Sequence, residues 1–327
     1  MVRSMWQAAM TYDFPDGYTP EHEPVMQQEV LELLQCRPGG IFVDATLGLG
    51  GHAWGILERI QPGGLLIGLD RDSESLEKAR LHLRPFADAT RLLHENFKNL
   101  PLVLNNLGIK PIDGILVDLG VSSWQLLLPE RGFSFQSDAM LDMRMDRTQT
   151  VTAVKLVNEL PEERLADLIF RFGEDRHARR IAAAIAAARQ EARITRCAQL
   201  ARIVSRAVGG RAGRSIHPAT RTFQALRIAV NQELEGLEEF VTNALSFLRP
   251  GGRLVVLSFH SLEDRIVKRA FRALAGMCVC ERPPELCTCP RQAQARIVTA
   301  RPLTPGDAEL AANPRSRSAK LRTLERT

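Results

Sequence analysis

Asp44-Ala-Thr-Leu-Gly-Leu-Gly-Gly-His52 decides how this chain folds. A short apolar run, Ile41-Phe42-Val43, comes before it, and a helix-forming stretch, Ala53 to Ile60, comes after. That order predicts a strand, a glycine-rich turn and a helix start. Glycine carries no side chain, so a ligand can lie against the backbone of such a turn. The acid at the strand end, Asp44, makes the turn unlike a plain phosphate cradle. It suits a ligand that carries an amine or hydroxyls.

The glycines alone leave two ligands open. Gly48-x-Gly50-x-x-Ala53 also fits the dinucleotide fingerprint, which needs a preceding strand and an acid about 20 residues further on. Asp70 supplies that acid at the end of a second apolar run, Leu65-Leu66-Ile67-Gly68-Leu69, where it is expected to accept hydrogen bonds from ribose hydroxyls. NAD and S-adenosylmethionine therefore compete. In an NAD site the first glycine follows the strand almost directly and faces a pyrophosphate. Here Asp44 stands in that place, with three residues between it and Gly48. A carboxylate repels pyrophosphate and attracts the ammonium end of S-adenosylmethionine. The local argument favours the methyl donor.

Working outward, further strands are expected at Arg91 to His94, Gly114 to Asp118 and Arg253 to Ser258, with helices between the early ones, as at Ser73 to Leu83. Such alternation is the signature of an α/β fold with a parallel sheet, whose ligands sit at the carboxyl ends of the strands. Asp44, Asp70, Phe97 and Asp118 all fall at ends of that kind. The long gap before the last of these strands holds helices instead. Leu165, Leu168, Ile169 and Phe172 recur at helical spacing, as do Cys197, Leu200, Ala201, Val204 and Val208. With an alanine-rich helix near Ile181 to Ala188 they predict a helical insert over 136–216, between sheet-forming segments 22–135 and 217–327. Leu226, Val230, Leu234 and Leu237 mark one more helix, with Pro218 in its first turn and the sheet as its expected partner. Residues 1–21 read as a poorly ordered tail. A strand is expected at Arg296 to Arg301. The closing Arg315-Ser-Arg-Ser-Ala-Lys320-Leu-Arg322 reads as a solvated terminus or a phosphate contact.

The 327 residues are 45% hydrophobic and 25% charged, the balance of a globular chain without membrane spans. No signal peptide is recognisable, so a cytoplasmic protein is expected. Charge is unevenly placed. Arg171 to Arg227 contains 13 arginines, no lysine and 3 acids, a net +10, which leaves −5 for the rest. Solvated helix faces usually mix lysines with acids, whereas arginines without acids suit phosphate, so this segment is expected to meet nucleic acid. Of the 6 cysteines, Cys36 and Cys197 stand alone. Cys278-x-Cys280 and Cys287-x-Cys289 make a cluster in a loop with Pro283 and Pro284. Zinc and reduced thiols are both open for it, because paired zinc ligands usually have two residues between them. A catalytic part for it is not expected.

Candidate chemistry follows the fourth and fifth strands. Asp118-Leu-Gly-Val-Ser-Ser-Trp124-Gln125 has a glycine and serines that permit close approach of a substrate. Arg131-Gly-Phe133-Ser-Phe135, with Asp142-Met-Arg-Met145 soon after it, brings aromatics and arginines into one stretch, which suits an extruded base as well as a packed loop. In Ser258-Phe-His260-Ser-Leu-Glu-Asp264-Arg265, Ser261 and Asp264 resemble a helix-start capping pair, which leaves His260 without a structural role. No Gly-x-Ser-x-Gly elbow supports a hydrolase. No Pro-Cys pair supports methylation at cytosine carbon 5, and no Asn/Asp-Pro-Pro-aromatic motif marks an amino-directed DNA methyltransferase.

Taken together, the motifs resemble the RsmH/MraW family of bacterial 16S rRNA cytosine-N4 methyltransferases. They are His22-Glu-Pro-Val-Met26, the Asp44 to His52 turn, Ile67 to Asp72, Asp113 to Ser123, the two arginine–aromatic segments, Gly173 to Ala182, His217 to Leu234, Ser258 to Lys268 and Asn313 to Arg322. The resemblance runs from His22 to the C-terminus. It departs where Met26 ends a motif that commonly ends in leucine, and in the cysteine loop, which is not universal in the family. It implies a class I S-adenosylmethionine-dependent methyltransferase, a Rossmann-like sheet with an inserted helical substrate-recognition domain. The implied reaction is methyl transfer to N4 of a cytidine, expected at position 1402, in 16S rRNA of the small ribosomal subunit. Neither DNA nor a membrane is an expected partner. Donor contacts implied by the resemblance are Gly50, Gly51, His52, Asp70, Phe97, Asp118 and Gln125; the local argument adds Asp44. Asp118, a backbone carbonyl of 119–121, Ser122 and His260 are candidates to hydrogen-bond the acceptor amine. An NAD oxidoreductase and a non-catalytic RNA-binding protein are the rival classes.

Overall fold

The computed structural model describes residues 24–136, 138–209, 216–280, 282, 286–289 and 291–327. The 1–21 tail, His22, Arg211, Arg214, Pro283 and Pro284 lie outside them. The near-continuous apolar runs become strands covered on both faces, as parallel strands must be. The strands are β1 (Ile41–Asp44), β2 (Leu65–Asp70), β3 (Thr90–His94), β4 (Ile112–Asp118), β5 (Leu248–Ser258), β6 (Ala295–Ile297) and β7 (Lys320–Arg326). They form one sheet in the order β3-β2-β1-β4-β5-β7-β6. The first five are parallel, and β7 runs antiparallel to both β5 and β6. This is a Rossmann-like sheet, the architecture expected from the sequence.

Alternate residues serve the two faces. Val43, Ile67, Ile115, Val117 and Leu254 pack with helices Leu100–Leu107, Leu237–Leu245 and Ser261–Leu274. Phe42, Leu66, Leu116, Val255 and Leu257 pack with helices Gln27–Leu34, Gly51–Ile60 and Ser73–His82. The strand period of two puts every second side chain on the same face.

The described chain divides into two compact units, 24–120 with 236–327, and 121–235. The second has its own core, in which Leu165 and Ile169 of helix Glu162–Gly173 meet Ile181 and Ile185 of Ala178–Glu191, Leu200 and Val204 of Cys197–Ala207, and Phe223 and Leu226 of Thr220–Asn231. Its bounds are wider than the 136–216 drawn from sequence, because segments on both sides of that stretch join this core.

Two expectations are corrected. The periodic stretch Leu226 to Leu237 is not one helix on the sheet. Leu226 and Val230 belong to the core of the second unit, whereas Leu237 begins a separate helix packed on the sheet. Asn231 ends the first helix with its Nδ2 donating to the Met143 carbonyl at 2.7 Å and its Oδ1 accepting from the Met145 N–H at 2.8 Å. Backbone at positive φ follows, at Gln232 (50°) and Gly236 (68°). The second correction concerns the basic tail. Its Lys320 and Arg322 lie in β7, between β5 and β6, and both bind Asp264, at 2.9 and 2.6 Å.

Candidate active site

The turn after β1 is built by hydrogen bonds that tie three strand ends together. Ala45 N–H donates to the Leu116 carbonyl of β4 at 2.9 Å, and Leu47 N–H to the Leu69 carbonyl of β2 at 2.8 Å. Thr46 Oγ1 accepts from the Asp118 N–H at 2.6 Å. Asp70 braces the same turn, its carboxylate accepting from the Gly48 N–H at 2.6 Å and the Asp72 N–H at 2.8 Å. Its first task is thus to hold the protein's own backbone. A carboxylate has about four lone-pair positions, so capacity remains for a ligand hydroxyl.

Gly48 and Gly50 sit at φ 53° and 83°, a region most side chains avoid. At Gly51 the reason is packing, since a Cβ there would lie 2.6 Å from Pro24 Cγ. A Cβ at Gly50 would press on Leu83 at 3.1 Å. These two glycines make room for protein at their Cα atoms. What the turn can offer a ligand is backbone N–H, because the first such groups of helix Gly51–Ile60 have no acceptor within the helix.

Burial governs the charges. Asp44 is 1% exposed, and burial pushes its carboxyl up to about 7 against the pull of the Thr46 N–H, with Asp70 adding to the rise. Burial likewise raises Asp70 to about 6, opposed by the Asp72 and Gly48 N–H groups. Asp118 is raised well above its ordinary range by burial, then by the nearby charges of Asp44 and Glu263. Burial lowers His52 to about 4, so at neutral pH its ring is uncharged. The 3.7 Å between His52 Nε2 and Asp118 Oδ2 is therefore a contact between a neutral ring and a carboxyl, with no salt bridge. Both ring nitrogens of His52, and Asp118 Oδ1, have no hydrogen-bond partner among the described residues. Unpaired buried polar atoms are costly and need a partner. Such acids gain from a cationic ligand, which favours their ionised form, and a pyrophosphate would disfavour that form further.

Phe97 lies beyond β3, half-buried, with its ring edge-on to Phe240 at 4.9 Å between centroids. His260 has a structural task after all. It is the N-cap of helix Ser261–Leu274, its Nδ1 accepting from the Glu263 N–H at 3.4 Å while Glu263 Oε2 accepts from the His260 N–H at 3.3 Å. The expected Ser261–Asp264 capping pair is displaced by His260 and Glu263.

Within the second unit, Ser122 and Gln125 form the capping box of helix Ser123–Leu127. Ser122 Oγ accepts from the Gln125 N–H at 3.2 Å, and Gln125 Oε1 accepts from the Ser122 N–H at 3.0 Å. The segment at Arg131 is a packed loop, in which the buried guanidinium donates to the carbonyls of Arg144 and Met145 at 3.1 and 2.8 Å. Phe135 stacks on His217 at 4.5 Å.

Sequence reasoning missed Thr46 and Glu263. Thr46 lies two residues beyond Asp44, and a hydroxyl at that distance was a legible hint of a turn bond. Glu263 stands three residues after His260, the spacing of a capping box. Histidine is an unusual cap, which hid it.

Residues 19–327 match the MraW methylase family. The chain belongs to that family. Members are S-adenosylmethionine-dependent methyltransferases. The chain is 52% identical over 308 residues to a ribosomal RNA small subunit methyltransferase H from Pelobacter propionicus, spanning 94% of this chain and 98% of that protein. It is 53% identical over 309 residues to the protein of that name from Geobacter sulfurreducens, spanning 94% and 99%. A third, from Halothermothrix orenii, is 47% identical over 309 residues, spanning 94% and 98%. Family membership removes the NAD oxidoreductase reading, in agreement with the acids at the strand ends. No helix among the described residues is long and apolar enough to cross a membrane.

Proposed function

We propose that this chain transfers a methyl group from S-adenosylmethionine to N4 of a cytidine in 16S rRNA of the small ribosomal subunit, with cytidine 1402 as the expected position. The observation that carries the reading is the trio Asp44, Asp70 and Asp118, one buried and two half-buried carboxyls gathered at the ends of β1, β2 and β4. The donor, when bound, supplies a methyl group activated by a positively charged sulfur. Asp44 attracts the ammonium end, and Asp70 keeps capacity for the ribose hydroxyls. The backbone at Gly50, the N–H groups at Gly51 and His52, the Phe97 ring and Gln125 complete the proposed donor contacts.

The acceptor amine is a poor nucleophile, because its lone pair is delocalised into the cytosine ring. Asp118 is the foremost candidate to correct this. Its Oδ1 has no partner among the described residues, so it can accept a hydrogen bond from an N4 hydrogen and localise the lone pair as the methyl arrives. Its raised basicity then lets it take the proton that N4 must lose. Ser122 and His260 are weaker candidates, since Ser122 Oγ and His260 Nδ1 are engaged in helix caps. The arginine-rich 171–227 segment supports an RNA acceptor. Alignment within such a site supplies much of the remaining rate.

Mass spectrometry of small-subunit rRNA nucleosides, from cells with and without the gene, tests the reading. N4-methylated cytidine should vanish without it. An unchanged level would overturn the proposal. Asp118→Asn should keep donor binding measurable and lower the single-turnover rate by about 100-fold or more.

A further inference from the structure

Four sulfurs meet at the end of helix Ser261–Leu274, well away from the methyl-transfer residues. Cys278 Sγ lies 3.5 Å from Cys280 Sγ, 3.4 Å from Cys287 Sγ and 4.0 Å from Cys289 Sγ. All four ligand atoms fall within 4.8 Å of one another. None is in a disulfide, and these separations are far beyond the S–S bond of about 2 Å. Four thiolates around one zinc ion, each with a Zn–S bond of about 2.3 Å, sit about 3.8 Å apart at the edges of a tetrahedron. The separations here bracket that value. The one-residue spacing within each Cys-x-Cys pair, unusual for zinc in sequence, is no obstacle once the two pairs face each other.

Reduced thiols have no comparable reason to gather. Cys278 is exposed and the other three are half-buried, so no apolar core draws them in. Bonds between S–H groups are weak. The backbone around them is tied down. Gly276 takes φ 71°, and a Cβ there would strike the Arg291 carbonyl at 2.7 Å. Gln294 N–H donates to the Leu274 carbonyl at 2.8 Å, just before β6 begins at Ala295. The cluster thus stands where the chain leaves a helix and returns to the edge strand of the sheet.

We propose that Cys278, Cys280, Cys287 and Cys289 bind one zinc ion as a closed tetrathiolate site that fastens the end of helix Ser261–Leu274 to β6. Four protein ligands leave no open position, so the site is structural. A helix of 14 residues spans about 21 Å, which separates the cluster from His260 at the other end.

Full-length protein, expressed with zinc and purified under reducing conditions without chelator, should carry about one zinc per chain by elemental analysis. Cys278→Ser/Cys289→Ser should lower that content at least fivefold, whereas Cys36→Ser/Cys197→Ser should keep it. Should the first variant fail to fold, the native chain provides a second measurement. Its four clustered thiols should resist alkylation until a chromogenic chelator withdraws the metal, and cobalt should then restore a tetrahedral thiolate spectrum. Cleavage at Arg291 by trypsin should speed up in the metal-free chain. Zinc below about 0.1 per chain after reconstitution, iron in its place, or four thiols that alkylate as fast as those of a peptide would each overturn the proposal.

Discussion

Asp44, proposed to attract the donor's ammonium, shows how burial can make a carboxyl sensitive to pH near neutrality. Its value rises from 3.8 to about 7. Between those values the folded chain holds a proton that the unfolded chain has already released. Stability of the ligand-free protein therefore falls as pH rises through that window, and levels off above it. A cationic donor prefers the ionised carboxyl, so binding expels the proton, and affinity should rise by up to about tenfold per pH unit towards 7. Calorimetry at pH 6 in two buffers of different ionisation enthalpy should report proton release. A buffer-independent heat would take Asp44 out of donor recognition. His260 invites a different outcome. As a helix cap, its replacement by alanine should cost about 1 kcal/mol of stability and leave the single-turnover rate within about threefold. A rate loss of about 100-fold at full donor occupancy would restore it to the chemistry.

At the scale of elements, the C-terminal strand is the part least visible beforehand. β7 lies between β5 and β6 and brings Arg322 and Lys320 against Asp264 at the start of a helix. Burial alone would raise Asp264, but the hydrogen bonds and charges of Arg322 and Lys320 outweigh it and hold the carboxyl below its ordinary range. Stability from such an acid is present above its unfolded value and lost as pH falls through the folded one. Asp264→Asn should cost about 3 kcal/mol at pH 7, because it leaves a largely buried guanidinium unpaired. The deficit should shrink as pH falls below about 4, where the unfolded chain takes up a proton that the folded acid still resists. Denaturant melts at both pH values check this, and an equal deficit at each would show that packing, not charge, is lost.

For the whole molecule, the uneven charge is the property that reaches a partner. Helices Ala178–Glu191 and Cys197–Ala207 of the second unit carry Arg179, Arg180, Arg202 and Arg206, all exposed. Such arginines displace counterions from RNA on binding. Arg179→Ala/Arg180→Ala should weaken small-subunit rRNA binding and flatten the slope of log affinity against log salt by about 1.5. Donor binding should not change. A slope equal to that of the unaltered chain would remove this face from the RNA contact. Arg211 and Arg214, two more of the 13 arginines of the 171–227 segment, lie outside the described residues.

The sequence by itself determined the strand–turn–helix at Asp44 to His52, the strands ending at Asp70 and Asp118, and a helical insert rich in arginine. Those features rest on apolar runs, glycines and helical periodicity, which act over a few residues. It also carried enough motif for the family. Tertiary structure alone decided which of these residues meet. Thr46 and Asp118 are joined across 72 positions, and Asp264 and Arg322 across 58. It decided that Asp70 braces the turn, that Gly51 makes room for Pro24, that His260 caps a helix, and that four cysteines from two short segments share one point. Each outcome depends on which strand lies beside which and on what burial leaves without a partner. Local composition holds neither quantity, because both are set by contacts between residues far apart in the chain.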